Sequence, residues 1–354
     1  MSDVIVAPET RDLDDLCARL TGWLEERLPR AEGLALANFA YPRGAGQSHE
    51  TILFDASWRE GGDARHQGCV VRIRPGRFTV FPDTLFDEQY RVMRALHEGG
   101  WVKVAEPLWI EHDPAVLGAP FFVMKKVAGR VPVSIPPYAR TGWVAEASSD
   151  QRHRMWDGAV RQLAAIQHVP LDRVQFLAGP PHARDGLAQE WDKYTRFVAW
   201  LEADGAPSGF TRILRRGLDR LEAQWPRHQP EGLVWGDARM GNMMFDEQFD
   251  VAAVMDWEQP SLGGALHDLA WFTVICETMH GASQLPPPLP GMGTRAQTIA
   301  LWEAVSGKSA EGLAWYEDFV HLKMSCTAVR LGMLRGTCMM DEASMAKRLR
   351  VAPG

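Results

Sequence analysis

The spacing of hydrophobic positions changes about a third of the way along the chain. Apolar residues recur every three or four positions from Glu9 to Leu28, which predicts an amphipathic helix ending at Pro29. Short apolar runs typical of strands follow it. We predict strands at 34–41, 51–56, 69–74, 109–112 and 121–125, with one helix at 86–98 between them.

Helical spacing dominates beyond residue 130, interrupted by one apolar strand-turn-strand segment at 233–256. The predicted helices cover 151–168, 187–203, 208–225, 265–280, 294–305 and 312–335. This layout predicts an α+β chain with a small β-rich N-terminal lobe and a larger, mainly helical C-terminal lobe. We expect a nucleotide-binding lobe with its leading helix over 1–124, a hinge over 125–130, and a catalytic and acceptor-binding lobe over 131–354. Ligand pockets commonly lie between such lobes.

Composition narrows the class of protein without naming a substrate. The 354 residues are 46% hydrophobic and 23% charged, which is ordinary for a globular protein. A net charge of -7 argues against a nucleic-acid partner. The five cysteines form no CxxC pair, so neither a zinc knuckle nor a disulfide framework is indicated. With no signal-like N-terminus and no apolar run of roughly 18–20 residues, we expect a cytoplasmic protein without a membrane segment.

The most informative chemistry lies in the segment 233–258. Asp237 is followed five residues later by Asn242, and fourteen residues after that by Asp256. A lone Gly-Asp pair more often caps a turn. The three residues together match the needs of phosphoryl transfer, in which one carboxylate faces the acceptor hydroxyl while an amide oxygen and a second carboxylate hold magnesium. We therefore predict Asp237 as the catalytic residue, with Asn242 and Asp256 as ligands of Mg²⁺.

These residues carry a resemblance to the aminoglycoside phosphotransferase (APH)-type kinases, over about residues 34–335. The branch most similar to this chain is the kinase-like domain attached to some acyl-CoA dehydrogenases. The family pattern His-Gly-Asp-x-x-x-x-Asn, followed by a strand ending Asp-Trp-Glu, appears here as Trp235-Gly-Asp237…Asn242 and Asp256-Trp-Glu258. The resemblance implies a protein-kinase-like fold, ATP as phosphoryl donor and Mg²⁺ as cofactor.

The chain departs from the family pattern at two places. Trp235 replaces the usual histidine, and we expect a scaffold hydrogen bond of that ring to be lost. The family's Gly-Asp-Pro appears as Gly263-Gly-Ala265. Neither change removes a predicted metal ligand or the catalytic carboxylate. The resemblance also implies that Asp268 braces the catalytic loop through backbone amides; otherwise it is an acidic residue in the first turn of a helix.

In the N-terminal lobe, a phosphate-binding cation should lie on a central strand and pair with a carboxylate of a helix. Arg72 and Glu88 occupy those places, and arginine in this role is a feature of the same branch. Arginine can bind phosphate and carboxylate with two parallel hydrogen bonds. Arg74 is the alternative if the strand register differs, and the competing interpretation is an edge-strand Arg with a solvated Glu.

Two further segments complete the predicted nucleotide site. The loop containing Gly44, Gly46 and Ser48 could cover phosphates with its backbone amides, although many hairpin loops look alike. A second segment, with Met124, Lys125 and Val127, should form the hinge where backbone groups contact adenine, unless it is an ordinary edge strand.

The sequence predicts an ATP- and Mg²⁺-dependent O-phosphotransferase that acts on the hydroxyl of a small molecule. A polycationic acceptor would call for clustered carboxylates, whereas 139–168 and 335–350 mix both signs. We therefore favour a neutral or anionic acceptor, and the branch resemblance implies a hydroxyacyl-CoA. The alternatives are an antibiotic (aminoglycoside or macrolide) phosphotransferase and a catalytically silent nucleotide-binding module. Protein-kinase activity is disfavoured because no Ala-Pro-Glu-like segment follows Asp256. Choice of ATP over GTP and oligomeric state stay open.

Overall fold

The computed structural model describes residues 11–42, 50–76, 79–134, 137–179, 186–280 and 289–352, without the side chains of 277–280. Its secondary structure is α+β, as predicted, with strands concentrated in the first 125 residues. The strands are β1 (Glu32–Ala40), β2 (Glu50–Glu60), β3 (Asp63–Ile73), β4 (Pro107–Glu111), β5 (Phe121–Lys125), β6 (Met243–Phe245) and β7 (Val251–Val254). The helices are α1 (Leu13–Arg27), α2 (Phe86–Gly99), α3 (Pro114–Leu117), α4 (Trp143–Glu146), α5 (Ser149–Ala165), α6 (Leu187–Ala203), α7 (Ser208–Ala223), α8 (Leu266–His280), α9 (Arg295–Ser306), α10 (Leu313–Arg335) and α11 (Glu342–Leu349).

The chain divides into two compact units. The first consists of Met1–Thr79 with Val104–Ala128, and the second of Val80–Lys103 with Gly129–Gly354. Helix α2, which sequence reasoning assigned to the N-terminal lobe, therefore belongs to the larger unit.

The first unit is built on a five-stranded antiparallel sheet of order β1-β2-β3-β5-β4, so β3 lies at its centre. Helix α1 begins at Asp12, whose side chain accepts from the amides of Asp14 and Asp15. The apolar face of α1 is buried in the same core as the inner face of the sheet, as its three- and four-residue spacing requires. The core contains Leu16, Leu20, Trp23, Leu24, Ile52, Phe54, Val71, Ile73, Phe121 and Val123.

Strands β2 and β3 form a hairpin that extends well beyond the predicted strands. They pair continuously from Glu50↔Ile73 to Glu60↔Asp63 around Gly61 and Gly62, both of which have positive φ. The distal half carries polar, exposed side chains, so the hydrophobic pattern marked only the buried half.

The second unit is mainly helical and contains the small hairpin β6–β7. The predicted helices of this region are all present, with ends shifted by a few residues. Helix α11 was not predicted; it begins at Asp341, whose side chain accepts from the amide of Ser344. Every helix within the described ranges is too short or too polar to cross a bilayer.

Candidate active site

The predicted catalytic segment folds into a short loop and hairpin in the second unit. The backbone of Val234 pairs with Ser261, with N···O distances of 2.8 and 3.3 Å. A single 3-10 turn at Met240–Asn242 then leads into β6, and β6 pairs with β7. The Met255 amide donates to the Asn242 carbonyl at 2.8 Å. This bond fixes Met255, which precedes Asp256, against Asn242.

The Asp237 carboxylate is held by three donors. Trp271 Nε1 donates to Oδ1 at 2.9 Å. Oδ2 accepts from Asn242 Nδ2 at 2.6 Å and from Arg239 Nε at 2.9 Å. A half-buried carboxylate with this many donors has a fixed orientation. It is therefore suited to orienting a hydroxyl.

The side chains of Asn242 and Asp256 fit a divalent cation. Asn242 is 6% exposed, and its Nδ2 donates to both the backbone and the side chain of Asp237, which leaves the amide oxygen as its cation-binding atom. Asp256 has a φ of 63°, a left-handed conformation that is rare outside glycine and is often found at functional sites. Oxygen donors of these two types suit Mg²⁺, which usually takes one or two carboxylates and completes its shell with water and phosphates. Within the described ranges no group of three or more His, Cys, Asp and Glu side chains is placed to hold a metal ion.

Arg239 is a site residue that sequence reasoning did not select. Besides its ion pair with Asp237, it donates from Nη1 to Ser134 Oγ at 2.8 Å. Burial disfavours its charge, but the charge and hydrogen bond of Asp237, with the charge of Asp256, raise the pKa of Arg239 above its ordinary value. Its position in the sequence could have indicated this role, because Arg239 is a cation two residues after Asp237, the predicted catalytic carboxylate, inside the motif.

Asp268 lies under the predicted catalytic loop, residues 235–242, and accepts hydrogen bonds from two of its backbone amides. The amides of Trp235 and Gly236 donate to Oδ2 and Oδ1 at 2.6 and 2.9 Å. The side chain is 2% exposed, and burial raises its pKa to about 6 although both hydrogen bonds oppose the shift. The contact ties the first turn of α8 to the residues that precede Asp237.

The ring of Trp235 makes a hydrogen bond of its own. The indole is fully buried, and its Nε1 donates to the Met255 carbonyl at 2.8 Å. It packs against Trp257 with ring centroids 5.9 Å apart. Because an indole N–H is a donor, tryptophan links the loop to the residue before Asp256.

Gly236 shows why the residue before Asp237 is glycine. Its φ is +105°, and a Cβ there would lie 2.7 Å from the carbonyl oxygen of Gln259. Any other residue would be strained and would push the loop away from Gln259.

The predicted nucleotide-binding residues of the first unit lie on adjacent strands. Arg72 of β3 pairs in register with Phe122 of β5 and is 9% exposed. Arg74 lies beyond the end of β3 and is exposed, so Arg72 is the better candidate. Met124 and Lys125 end β5, and Lys125 Nζ forms a 2.5 Å ion pair with Glu106. Val127 follows in an extended segment.

Other predicted contacts are left as predictions. Glu88 lies in the first turn of α2, in the second unit, whereas Arg72 lies in the first. Gly44, Gly46 and Ser48 lie outside the described residues.

Comparison with known proteins identifies the family. The model of the phosphotransferase enzyme family, APH, matches residues 47–307. The chain belongs to this family. It is accordingly a small-molecule kinase with a protein-kinase-like fold, and both the resemblance and the fold class expected from the sequence are confirmed.

Curated relatives of the chain are long proteins. It is 25% identical over 235 residues to the probable acyl-CoA dehydrogenase IBR3 of Arabidopsis thaliana, covering 64% of the chain and 27% of the relative. It is 28% identical over 233 residues to acyl-CoA dehydrogenase family member 11 of Gallus gallus, covering 65% and 27%. The matched region thus spans about a quarter of the length of these relatives.

Solved structures agree in fold. A putative aminoglycoside phosphotransferase from Ralstonia eutropha has a TM-score of 0.65 and 24% identity, with 94% of each chain covered. Macrolide 2'-phosphotransferase type I has a TM-score of 0.56 and 19% identity, with 100% of each chain covered. At these identities the likeness establishes the fold alone.

Proposed function

We propose that this chain transfers the γ-phosphoryl group of ATP, with Mg²⁺, to the hydroxyl of a small acyl compound, a hydroxyacyl-CoA or a related hydroxy acid. The observation that carries the proposal is the Asp237 carboxylate, held by Trp271, Asn242 and Arg239. Asp256 follows in the motif with a left-handed backbone.

Each side chain has a defined task in this reaction. Asp237 accepts a hydrogen bond from the acceptor hydroxyl and aligns its oxygen for attack, taking the proton as the new bond forms. Asn242 and Asp256 would hold a magnesium ion, which would supply positive charge to neutralise the phosphates. Asp268 and Trp235 fix the loop through backbone groups, so the oxygen atoms of the site are preorganised.

ATP as donor is supported by the residue pattern and by a structural neighbour. A thermostable aminoglycoside phosphotransferase with a TM-score of 0.54 and 14% identity forms a ternary complex with AMP-PNP and hygromycin B. We assign the phosphates to Arg72 and to the loop of Gly44, Gly46 and Ser48. Backbone groups of 125–127, which follow Met124, are assigned to adenine at the start of the proposed hinge 125–130.

The acyl nature of the acceptor is supported by the relatives and by charge. Both named relatives carry the name acyl-CoA dehydrogenase, and this chain matches about a quarter of the length of each. Arg239 lies against Asp237, and Lys193 lies near the carbonyl that packs on Gly236. Cations at these places disfavour a polycationic aminoglycoside.

The test is phosphate transfer by the purified chain from ATP with Mg²⁺ to hydroxyacyl-CoAs, hydroxy acids, aminoglycosides and macrolides. Asp237→Asn should reduce kcat by more than about a hundredfold because it removes the proton acceptor. Nucleotide binding should survive. Asp157→Asn changes a half-buried surface carboxylate paired with Arg161 on α5; it is the matched control and should behave as wild type.

Other outcomes separate the alternatives. Transfer to an antibiotic with none to acyl compounds would overturn the acyl assignment. Nucleotide binding without transfer to any acceptor would favour the silent module. Wild-type turnover by the Asp237→Asn variant would refute the catalytic assignment.

A further inference from the structure

A cluster of charged side chains is buried beneath the catalytic loop in the second unit. Glu190 of α6 is 2% exposed and accepts from Lys323 Nζ at 2.5 Å and from Ser261 Oγ at 2.6 Å. Lys323 of α10 also meets His267 Nδ1 at 3.2 Å. Burial would raise the pKa of Glu190, but the charges of Lys193 and Lys323 hold it well below its ordinary value. Lys323 is therefore matched within the cluster.

Lys193 is held far more loosely than Lys323. Its Nζ lies 3.7 Å from Glu190 Oε1, beyond hydrogen-bonding distance, and 3.4 Å from the Gln259 carbonyl, at the outer limit. Its side chain is 11% exposed, compared with 4% for Lys323, so it is the more accessible of the two lysines. An ammonium group has three donors, and leaving them weakly bonded in a buried place is costly.

Gln259 adds an unmatched acceptor at the same place. It is 6% exposed, and its Oε1 has no hydrogen-bond partner among the described residues. The atom of Gln259 that Lys193 approaches is its backbone carbonyl, so the two residues are neighbours. The unpaired amide oxygen needs a donor, which an ordered water can supply, whereas the weakly bonded ammonium of Lys193 needs an acceptor such as a ligand oxygen.

This pair lies directly against the catalytic loop. The Gln259 carbonyl that Lys193 approaches is the atom that a Cβ on Gly236 would meet at 2.7 Å. Gly236 is followed by Asp237. The Gln259 carbonyl therefore lies between Lys193 and the backbone next to Asp237, the residue assigned to the acceptor hydroxyl.

We propose that Lys193 binds the acyl oxygen of the acceptor, a carboxylate or a thioester carbonyl, and so sets the position of the hydroxyl relative to Asp237. The inference rests on the proposed function and names the group that this part of the site recognises. An ammonium favours an anionic or strongly polar oxygen over the hydroxyl of a simple alcohol.

The experiment compares acceptors with and without the acyl oxygen. Straight-chain hydroxy acids, the corresponding CoA thioesters and diols of equal length are tested with wild type, Lys193→Met and Lys193→Arg. Lys193→Met should raise KM for the acids or the thioesters by at least about tenfold, the loss of one charge-assisted hydrogen bond. KM for ATP and kcat/KM for the diols should not change. Lys193→Arg should recover part of the loss, because it keeps the charge.

Arg196 provides the matched control. It lies on the same helix, has a 63% exposed side chain and pairs with Asp83 at the surface. Arg196→Met should match wild type with every acceptor. Lys193→Met should fold, because Lys323 still compensates Glu190.

A binding measurement separates this inference from the proposed function. Fatty acids and acyl-CoAs without a hydroxyl should raise the melting temperature of wild type but not of Lys193→Met. If wild type phosphorylates acyl acceptors and Lys193→Met does so with an unchanged KM, the inference is overturned while the function stands. An equal loss on the diols would also overturn it, because it would show a structural role. If wild type uses no acyl acceptor and binds no acyl ligand, both fail together. A raised KM for the hydroxy acids would show that Lys193 binds a carboxylate oxygen, and a raised KM for the CoA thioesters would show that it binds a thioester carbonyl.

Discussion

Replacing Asp268 with asparagine should produce a stability loss that is larger in acid than at neutral pH. Asparagine offers one acceptor oxygen where the carboxylate offers two, so one of the amides of Trp235 and Gly236 loses its partner. A buried, unsatisfied amide costs about 1–3 kcal/mol. The substitution also removes a buried charge, and that second effect depends on pH.

The direction of the pH effect follows from the raised pKa of Asp268. Its carboxyl has an ordinary value of 3.8 and a folded value of about 6. The folded state therefore binds the proton more tightly than the unfolded state. Stability from this group is fully present below about pH 3.8 and is lost as pH rises through 6, by about 3 kcal/mol in total at ~1.36 kcal/mol for each pH unit. Asparagine does not titrate, so the penalty of Asp268→Asn should shrink by about 2–3 kcal/mol between pH 4 and pH 7.

Urea unfolding followed by tryptophan fluorescence at several pH values measures this difference. Asp341→Asn is the control with the opposite sign. Asp341 is an exposed N-cap whose pKa is lowered by hydrogen bonds from the backbone and side chain of Ser344, so its penalty should grow as pH rises. A penalty for Asp268→Asn that is constant, or that grows with pH, would refute the reasoning.

Three further variants test the frame of the site. Trp235→Phe removes the donor to the Met255 carbonyl and should cost about 1–3 kcal/mol in the free energy of unfolding, with a higher requirement for Mg²⁺ in turnover; an unchanged Mg²⁺ titration would count against the link. Gly236→Ala places a Cβ 2.7 Å from the Gln259 carbonyl at a positive φ, so the melting temperature and kcat should both fall; a fully active variant would contradict the close packing. Glu190→Gln leaves its lysine partners uncompensated and should lower the free energy of unfolding by about 3–5 kcal/mol at pH 7. The loss should be smaller below about pH 4.5, because the wild-type carboxylate then begins to lose the stability that its lowered pKa provides. An equal loss at both pH values in urea unfolding would argue against the buried ion pair.

The helices and inner strands could be predicted because their burial is periodic. In α1 the buried residues Leu16, Leu20, Trp23 and Leu24 repeat at helical spacing, so the sequence alone marks the element. The outer half of the β2–β3 hairpin lacks that signal, since most of its side chains other than Trp58 are polar and its pairing is fixed by backbone bonds around Gly61 and Gly62. Helix α11 was missed because only Met345, Ala346 and Leu349 are buried in a stretch that is otherwise charged.

The reaction motif could be read from spacing, but its supporting contacts could not. Asp237, Asn242 and Asp256 lie within twenty residues, so turn and hairpin geometry alone could bring them together. Trp271 contacts Asp237 across 34 positions, and its place in a helix marked it only as a packing residue. A donor to a carboxylate over that distance depends on how helices pack, which local pattern does not encode.

Trp235 shows how a departure from the family pattern can still tie the motif together. Sequence reasoning compared the ring with histidine and expected a lost bond, because it considered the residue type and not the acceptor that the new ring could reach. In the structure the indole N–H donates to the Met255 carbonyl, a backbone acceptor next to Asp256. The indole packs against Trp257, and both rings are fully buried. This position is therefore fixed by a buried donor aimed at the backbone before Asp256, within an aromatic pair that fills the surrounding space.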